Sequence, residues 1–335
     1  MRAMILRRLA GLDEHPDPLE LVDLPVPEPA AGELLVRVSV CGVCHTELDE
    51  IEGRMPPPGL PVVPGHQIVG TVEGVGPGVS AGVVGSRVGV GWIHSSDGSP
   101  NENVSEAFRA TGRDVDGGYA EYLTVPQGYA YRIPDGLIDE EAAPLLCAGA
   151  IGYRALRLAC LENGQRLGLT GFGASGHLVL QLSRHMYPDS EVYVFARDPT
   201  AREFARQLGA TWTGATEDIP PRPLHAVIDT TPVWKPVVHA LKNLAPGGRL
   251  VINAIRKEAT DQICLLDLEY ETHLWMEREL KTVANITGPD IVDFLPLAAA
   301  IPIEVTVTRY RLEEANRALR DLKRGGGTGA RVLVI

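Results

Sequence analysis

Cys41-Gly42-Val43-Cys44-His45 sets two thiols and an imidazole close together, a grouping suited to metal or haem chemistry. The spacing C-x-x-C-H is that of covalent haem attachment. The two cysteines are also half of a four-cysteine zinc knuckle, but no second C-x-x-C occurs in the chain. A third reading lets one thiolate join distant ligands in a zinc site of three protein ligands, whose fourth position stays open to substrate. A pair of inert buried thiols is the remaining alternative. The five cysteines, Cys41, Cys44, Cys147, Cys160 and Cys264, are an odd and sparse set. They suit free thiols and metal ligands better than a disulfide framework.

A second candidate site is Gly171-Phe172-Gly173-Ala174-Ser175-Gly176, which fits G-x-G-x-x-G. The match gains meaning from its place after an expected strand and at the opening of an expected helix. The first glycine permits a tight turn, the second lets backbone approach a pyrophosphate, and the third lets helix and strand pack closely. The helix start then offers N–H groups and positive partial charge to phosphates. A ligand-free turn and an S-adenosylmethionine site are the alternatives to a dinucleotide.

The elements that must position these residues divide the chain. Up to about residue 148 it is β-rich, with expected strands at 33–40, 69–75 and 87–91 and little helical periodicity. From 149 to about 285, strands at 165–170, 191–195, 226–229 and 249–253 alternate with helices at 151–160, 174–185, 200–208 and 233–244. Such alternation implies a parallel sheet with crossover helices. The tail, 286–335, carries a helix at 312–323 and a strand at 331–335, and is too short to form its own domain. It is expected to return to the first one. The fold class is α/β, a β-rich domain interrupted by a doubly wound dinucleotide-binding domain.

Composition excludes some partners. Apolar residues make up 44% and charged residues 22% of 335 residues, as in folded proteins. The net charge of −12 without basic runs repels phosphate backbones and anionic membranes. No apolar run reaches the roughly 20 residues of a membrane span. Arg2, Arg7 and Arg8 interrupt the apolar start, unlike a signal peptide, so a cytoplasmic location is expected and haem attachment is disfavoured.

Cys41-Gly42-Val43-Cys44-His45-Thr46, Pro64-Gly65-His66, Asp116-Gly117-Gly118-Tyr119-Ala120-Glu121-Tyr122 and Pro144-Leu145-Leu146-Cys147-Ala148-Gly149 stand in order along the chain. With the glycine loop, they resemble the medium-chain zinc-dependent alcohol dehydrogenases over nearly the whole length. The resemblance implies a GroES-like catalytic domain, a Rossmann domain and an active site in the cleft between them. It implies a catalytic zinc on Cys44, His66 and Cys147, with Cys41 not a ligand. Two thiolates and a neutral imidazole with one open position would acidify a bound alcohol or polarise an aldehyde. By the same resemblance Thr46 accepts the substrate proton, Glu47 supports His66, His45 and Arg331 face the coenzyme phosphates, and Trp92 lines the alcohol pocket. A small alcohol or aldehyde substrate and a homodimer or homotetramer are implied too.

Three features depart from the family. The lobe that carries a second, structural zinc in relatives is short here, and the stretch 95–111 has no cysteine, so one zinc per subunit is expected. Gln67 stands where many relatives have Glu. Asp49 stands where many end a proton relay with His, leaving Asp49 or water as the exit. For the coenzyme, Ala196 occupies the place after the second strand where NAD-specific folds put a carboxylate, and Arg197 follows, with Arg202 nearby. The pattern favours NADP(H), with NAD(H) possible if Asp198 takes the ribose. A zinc-free quinone or enoyl reductase and a non-catalytic NAD(P)-binding sensor are the rival functions.

Overall fold

Alternate residues of the strand Glu33–Val43 are buried, namely Leu34, Val36, Val38 and Val40, so one face of this strand builds a core. In the computed structural model, which describes residues 1–301, 303–325 and 329–335, that strand is central to a seven-stranded sheet. Its neighbours are Ile68–Val75, Tyr122–Pro126 and Ala330–Val334, all antiparallel to it. The C-terminal strand pairs Arg331 with Val43 and Val332 with Gly42, directly before Cys44. The tail thus supplies a strand beside the C-x-x-C segment. This unit comprises Met1–Cys147, Ile286–Ala300 and Val305–Ile335.

The second unit comprises Ala148–Asn285 and Ile301–Glu304. Its strands are buried at consecutive positions, for example Val192 to Phe195 and Leu250 to Ile252, as expected where helices cover both faces. Six parallel strands run in the spatial order Trp212–Gly214, Glu191–Phe195, Arg166–Thr170, Leu224–Asp229, Leu244–Ile252, Glu279–Thr282. Numbered along the chain this is 3-2-1-4-5-6, the dinucleotide-binding order. Its topological switch point lies between Arg166–Thr170 and Leu224–Asp229.

Local structure differs from the sequence expectation at several places. The helix His45–Ile51 was not apparent, because Thr46, Glu47, Asp49 and Glu50 are all buried and no apolar period marks its inner face. The helix Gly288–Ala300 in the tail is hidden by the internal Pro296. The strand expected at 249–253 begins at Leu244, and a register shift against Leu224 and Ala226 absorbs Pro246-Gly247-Gly248. Among the described residues no helix is long and apolar enough to cross a membrane.

Candidate active site

Cys44 is the N-cap of the helix His45–Ile51, in extended backbone at φ −128°. The third helical residue, Glu47, folds back so that its Oε2 accepts the Cys44 N–H at 2.8 Å. This is the returning half of a capping box, a task for which Glu at that position is favoured. The other oxygen, Oε1, stands 2.6 Å from His66 Nδ1. The longer arm of Glu47 therefore does two things at once: it starts the ligand helix and fixes the His66 ring. Neither side chain is more than 1% exposed.

His66 is delivered by Pro64-Gly65. Gly65 has φ +101°, and a Cβ there would lie 2.4 Å from the Tyr119 ring. The Asp116-Gly117-Gly118-Tyr119 segment clasps this turn. Gly117, Gly118 and Tyr119 N–H groups donate to Val63, Gly65 and Pro64 carbonyls at 2.7–2.9 Å, and Val63 N–H donates to Asp116 Oδ1 at 2.8 Å. Cys147 lies in the π-helical turn Leu145–Gly149 that follows the helix Asp139–Pro144. Asp139 moors that helix to the sheet by accepting from Ser39 Oγ at 2.5 Å and Arg87 Nε at 2.6 Å.

These elements bring Cys44 Sγ, His66 Nε2 and Cys147 Sγ together. The ligand atoms of the three residues all lie within 4.8 Å of one another, and His66 Nε2 is 3.4 Å from Cys147 Sγ. Tetrahedral zinc with S and N ligands needs N···S separations of roughly 3.5 Å, from bond lengths of about 2.0 and 2.3 Å. The donors and their spacing fit that ion. With Nδ1 turned to Glu47, Nε2 is the nitrogen left for a metal.

Charge within the cluster is tightly coupled. The hydrogen bond from Cys147 holds the Cys44 thiol well below the usual thiol range, burial opposes this, and His66 assists. Burial disfavours an imidazolium at His66, but Glu47 and Cys44 outweigh it and hold its pKa well above the usual value. One turn further on, Glu50 is buried. Burial and then the Glu47 charge push its pKa well above the carboxylate range.

Of the other expected residues, Thr46 is buried with Oγ1 3.5 Å from Cys44 Sγ. Trp92 tilts against His66 with centroids 6.1 Å apart. Phe108, which nothing in the sequence singled out, stacks edge-on against Trp92 at 5.4 Å. Gln67 is buried, and a Cβ on Gly42 would lie 2.4 Å from its Oε1. His45 is exposed. Arg331 is half-buried and donates to the Asp321 carbonyl at 3.0 Å. Asp49 is not a free relay end, since its Oδ1 is held by Arg54 Nε at 2.5 Å.

The cysteine-free stretch is held by a carboxylate. Glu102, 3% exposed, accepts from Tyr129 Oη at 3.0 Å and from Gly288 N at 2.6 Å, and the Ser96 N–H donates to the same Tyr129 oxygen at 3.0 Å.

In the second unit the glycine loop joins Arg166–Thr170 to the helix Ala174–Met186. Gly171 has φ +81°, and a Cβ on it would lie 2.7 Å from Thr230 Oγ1. A Cβ on Gly176 would lie 2.8 Å from the Gly171 carbonyl, whereas Gly173 has open space. Phe172 packs edge-on against Phe204, and Ala174 and Ser175 open the helix. Ala196 is buried at the end of Glu191–Phe195, and Arg197 is exposed. Asp198 caps the next helix, accepting Thr200 N–H at 2.9 Å. Arg202 does not extend toward a ligand alongside Arg197, because its Nη1 donates to the Ala196 and Arg197 carbonyls at 2.7 and 3.1 Å.

Comparison with known proteins completes the picture. Residues 30–135 match the family model described as the alcohol dehydrogenase GroES-like domain. "Probable alcohol dehydrogenase AdhA" of Mycobacterium tuberculosis is 43% identical, covering 100% of this chain and 97% of its own length. An alcohol dehydrogenase of Geobacillus stearothermophilus is 32% identical over 98% of this chain and 99% of its own. Among solved structures, a cinnamyl alcohol dehydrogenase from Sorghum bicolor superposes with a TM-score of 0.85 at 24% identity, covering 99% and 97% of the two chains. Full-length identity at this level, on a chain with this cysteine–histidine cluster and this sheet order, shows that it belongs to the medium-chain, zinc-type alcohol dehydrogenase family.

Proposed function

We propose that the protein is a zinc-dependent alcohol dehydrogenase with one zinc per subunit, which interconverts a small alcohol with its aldehyde or ketone and prefers NADP(H) to NAD(H). The observation that carries the reading is the convergence of Cys44, His66 and Cys147 beside the Thr46 hydroxyl. Zinc bound there would supply Lewis acidity to the substrate oxygen, and a nicotinamide coenzyme would exchange hydride with its carbon.

The chain's own residues prepare that chemistry. Two thiolates balance the divalent charge, and Glu47 fixes the His66 tautomer. Thr46 Oγ1 takes the hydroxyl proton of the substrate and, with Asp49 engaged by Arg54, releases it to water. Trp92 and Phe108 form an aromatic wall beside His66 that favours apolar carbon and excludes water. The Glu102 clamp supports the single-zinc reading, since it holds the stretch that would otherwise need a structural metal.

The NADP(H) preference rests on the end of the second strand. Ala196 offers no carboxylate to a ribose 2′-hydroxyl, Asp198 is occupied as a helix cap, and the exposed Arg197 can pair with a 2′-phosphate. Assembly as a homodimer, or a tetramer of two such dimers, is supported by the edge strand Glu279–Thr282. All four of its residues are exposed, with exposed Tyr270, Trp275 and Met276 nearby. Light scattering on the eluting protein tests that state.

Metal analysis of dialysed protein, with alcohol-dependent NADPH formation before and after chelation, tests the whole reading. One zinc per subunit and turnover lost to the chelator and restored by zinc are expected. Turnover indifferent to chelation would indicate a zinc-free reductase, and coenzyme binding without turnover a sensor. Cys44→Ser and Cys147→Ala should both abolish activity.

A further inference from the structure

A largely buried ion pair sits at the carboxyl ends of the coenzyme-unit strands. Lys257, 8% exposed, lies in the segment after Leu244–Ile252 and meets Asp229, 0% exposed, the last residue of Leu224–Asp229. The Lys257 ammonium donates to Asp229 Oδ2, to the Thr231 carbonyl at 2.7 Å and to the Val233 carbonyl at 2.9 Å. Three donors meet three acceptors, so the ammonium is fully satisfied. Asp229 Oδ1 in turn accepts from Thr170 Oγ1 at 2.5 Å and from Thr231 Oγ1 at 2.8 Å.

This network reaches the glycine loop. Thr170 immediately precedes Gly171, and its carbonyl accepts from Thr230 N at 2.9 Å and Thr230 Oγ1 at 3.0 Å. Thr230 and Thr231 are the side chains that a Cβ on Gly171 would meet, at 2.7 and 2.9 Å. On the other side, Asn253 N donates to the Asp229 carbonyl and Glu258 N to the Pro232 carbonyl, both at 2.7 Å. One charged pair therefore ties together the first strand, the fourth strand and the segments following the fourth and fifth. The first and fourth strands flank the switch point, the crevice where a dinucleotide crosses such a sheet.

We infer that Lys257 is a coenzyme-positioning residue, which acts through Asp229 to hold the segments 230–234 and 253–258 in the shape that receives the dinucleotide beside Gly171. A buried charge whose partner is removed has every reason to reorganise. The segments free to move are those with no helix or strand of their own. Loss of Lys257 should thus appear first as loss of crevice shape. The inference rests on the dehydrogenase reading, since it presumes a dinucleotide in this unit.

The test uses the zinc-loaded full-length chain, with NADPH and NADH as probes by fluorescence titration. Wild type is measured first. Binding of neither coenzyme would overturn the functional reading and this inference with it. Given wild-type binding, Lys257→Met is expected to raise the coenzyme Kd about tenfold or more. The zinc content and the turnover rate at saturating coenzyme should stay within about threefold of wild type. Lys257→Arg, which keeps the charge, should recover most of the affinity. If Lys257→Met does not yield folded protein, Thr231→Ala removes only one bond to Asp229 and should raise Kd about threefold. A folded variant with a lowered melting temperature but unchanged coenzyme Kd would mean that the pair only supports the fold, and the inference would fall.

Discussion

Replacing Glu52 with Gln should remove a pH-dependent share of the stability of the first unit. Glu52 directly follows the ligand helix His45–Ile51, and its side chain is 6% exposed. Its Oε1 accepts from Leu12 N at 3.0 Å and Lys323 Nζ at 2.8 Å, and its Oε2 pairs with Arg54. Burial alone would raise its pKa. Lys323, the Leu12 N–H and Arg54 overcome that and lower it from 4.5 to about 2. At about 1.36 kcal/mol per unit, such a shift is worth roughly 3.4 kcal/mol. Lys323 and Arg54 are 30% and 35% exposed, so water screens them. About 2 kcal/mol is therefore the expected effect.

The sign follows from a folded-state pKa below the unfolded one. The contribution is complete above the unfolded value of about 4.5 and disappears as pH falls toward 2. Urea unfolding of wild type and Glu52→Gln across this range reads the difference, and acid release of metal, common to both proteins, cancels from it. The two stability curves should lie about 2 kcal/mol apart near neutral pH and converge in acid. A gap that stays constant with pH, or no gap near neutrality, would refute the electrostatic account.

Glu47→Gln should weaken zinc binding roughly 10- to 100-fold, because the group that orients His66 loses its charge while keeping its shape; competition against a chromogenic chelator measures it. Gln67→Glu should move the pH profile of kcat to more alkaline values, since a buried carboxylate near the cluster disfavours formation of a second anion there; an unchanged or acid-shifted profile would dismiss a role for the amide. Arg197→Ala should lower kcat/KM with NADPH by about tenfold or more and leave NADH almost unaffected. Equal losses with both coenzymes would remove Arg197 from the 2′-phosphate site.

What could be read in the sequence was whatever depends on short-range spacing. The glycine loop is one strand–turn–helix unit, and its glycines sit where the Thr230 and Thr231 side chains crowd Gly171 and the Gly171 carbonyl crowds Gly176. The ligand set was legible only through the family resemblance, which rests on motifs that are each local: Cys44 at the helix it caps, His66 after Gly65, and Cys147 in the turn after Pro144. The double duty of Glu47 was only half legible. Its support of His66 was expected from the family resemblance, whereas its return bond to the Cys44 N–H was not, because cysteine is not one of the usual helix-capping residues. Phe108, Glu102 and Lys257 could not be read, since each acquires its role from partners far along the chain or in irregular segments.

Glu102 shows why such residues matter to the functional reading. Four cysteines around a structural zinc would close a loop with strong bonds to one centre. Here Glu102 Oε1 takes the Gly288 N–H and Oε2 the Tyr129 hydroxyl, while Ser96 bonds both to Tyr129 Oη and to the Glu102 carbonyl, the latter at 2.8 Å. A buried carboxylate satisfied by neutral donors closes the same kind of loop, and it does so without a metal. On the single-zinc proposal, removing the metal from Cys44, His66 and Cys147 would therefore cost activity without opening this loop.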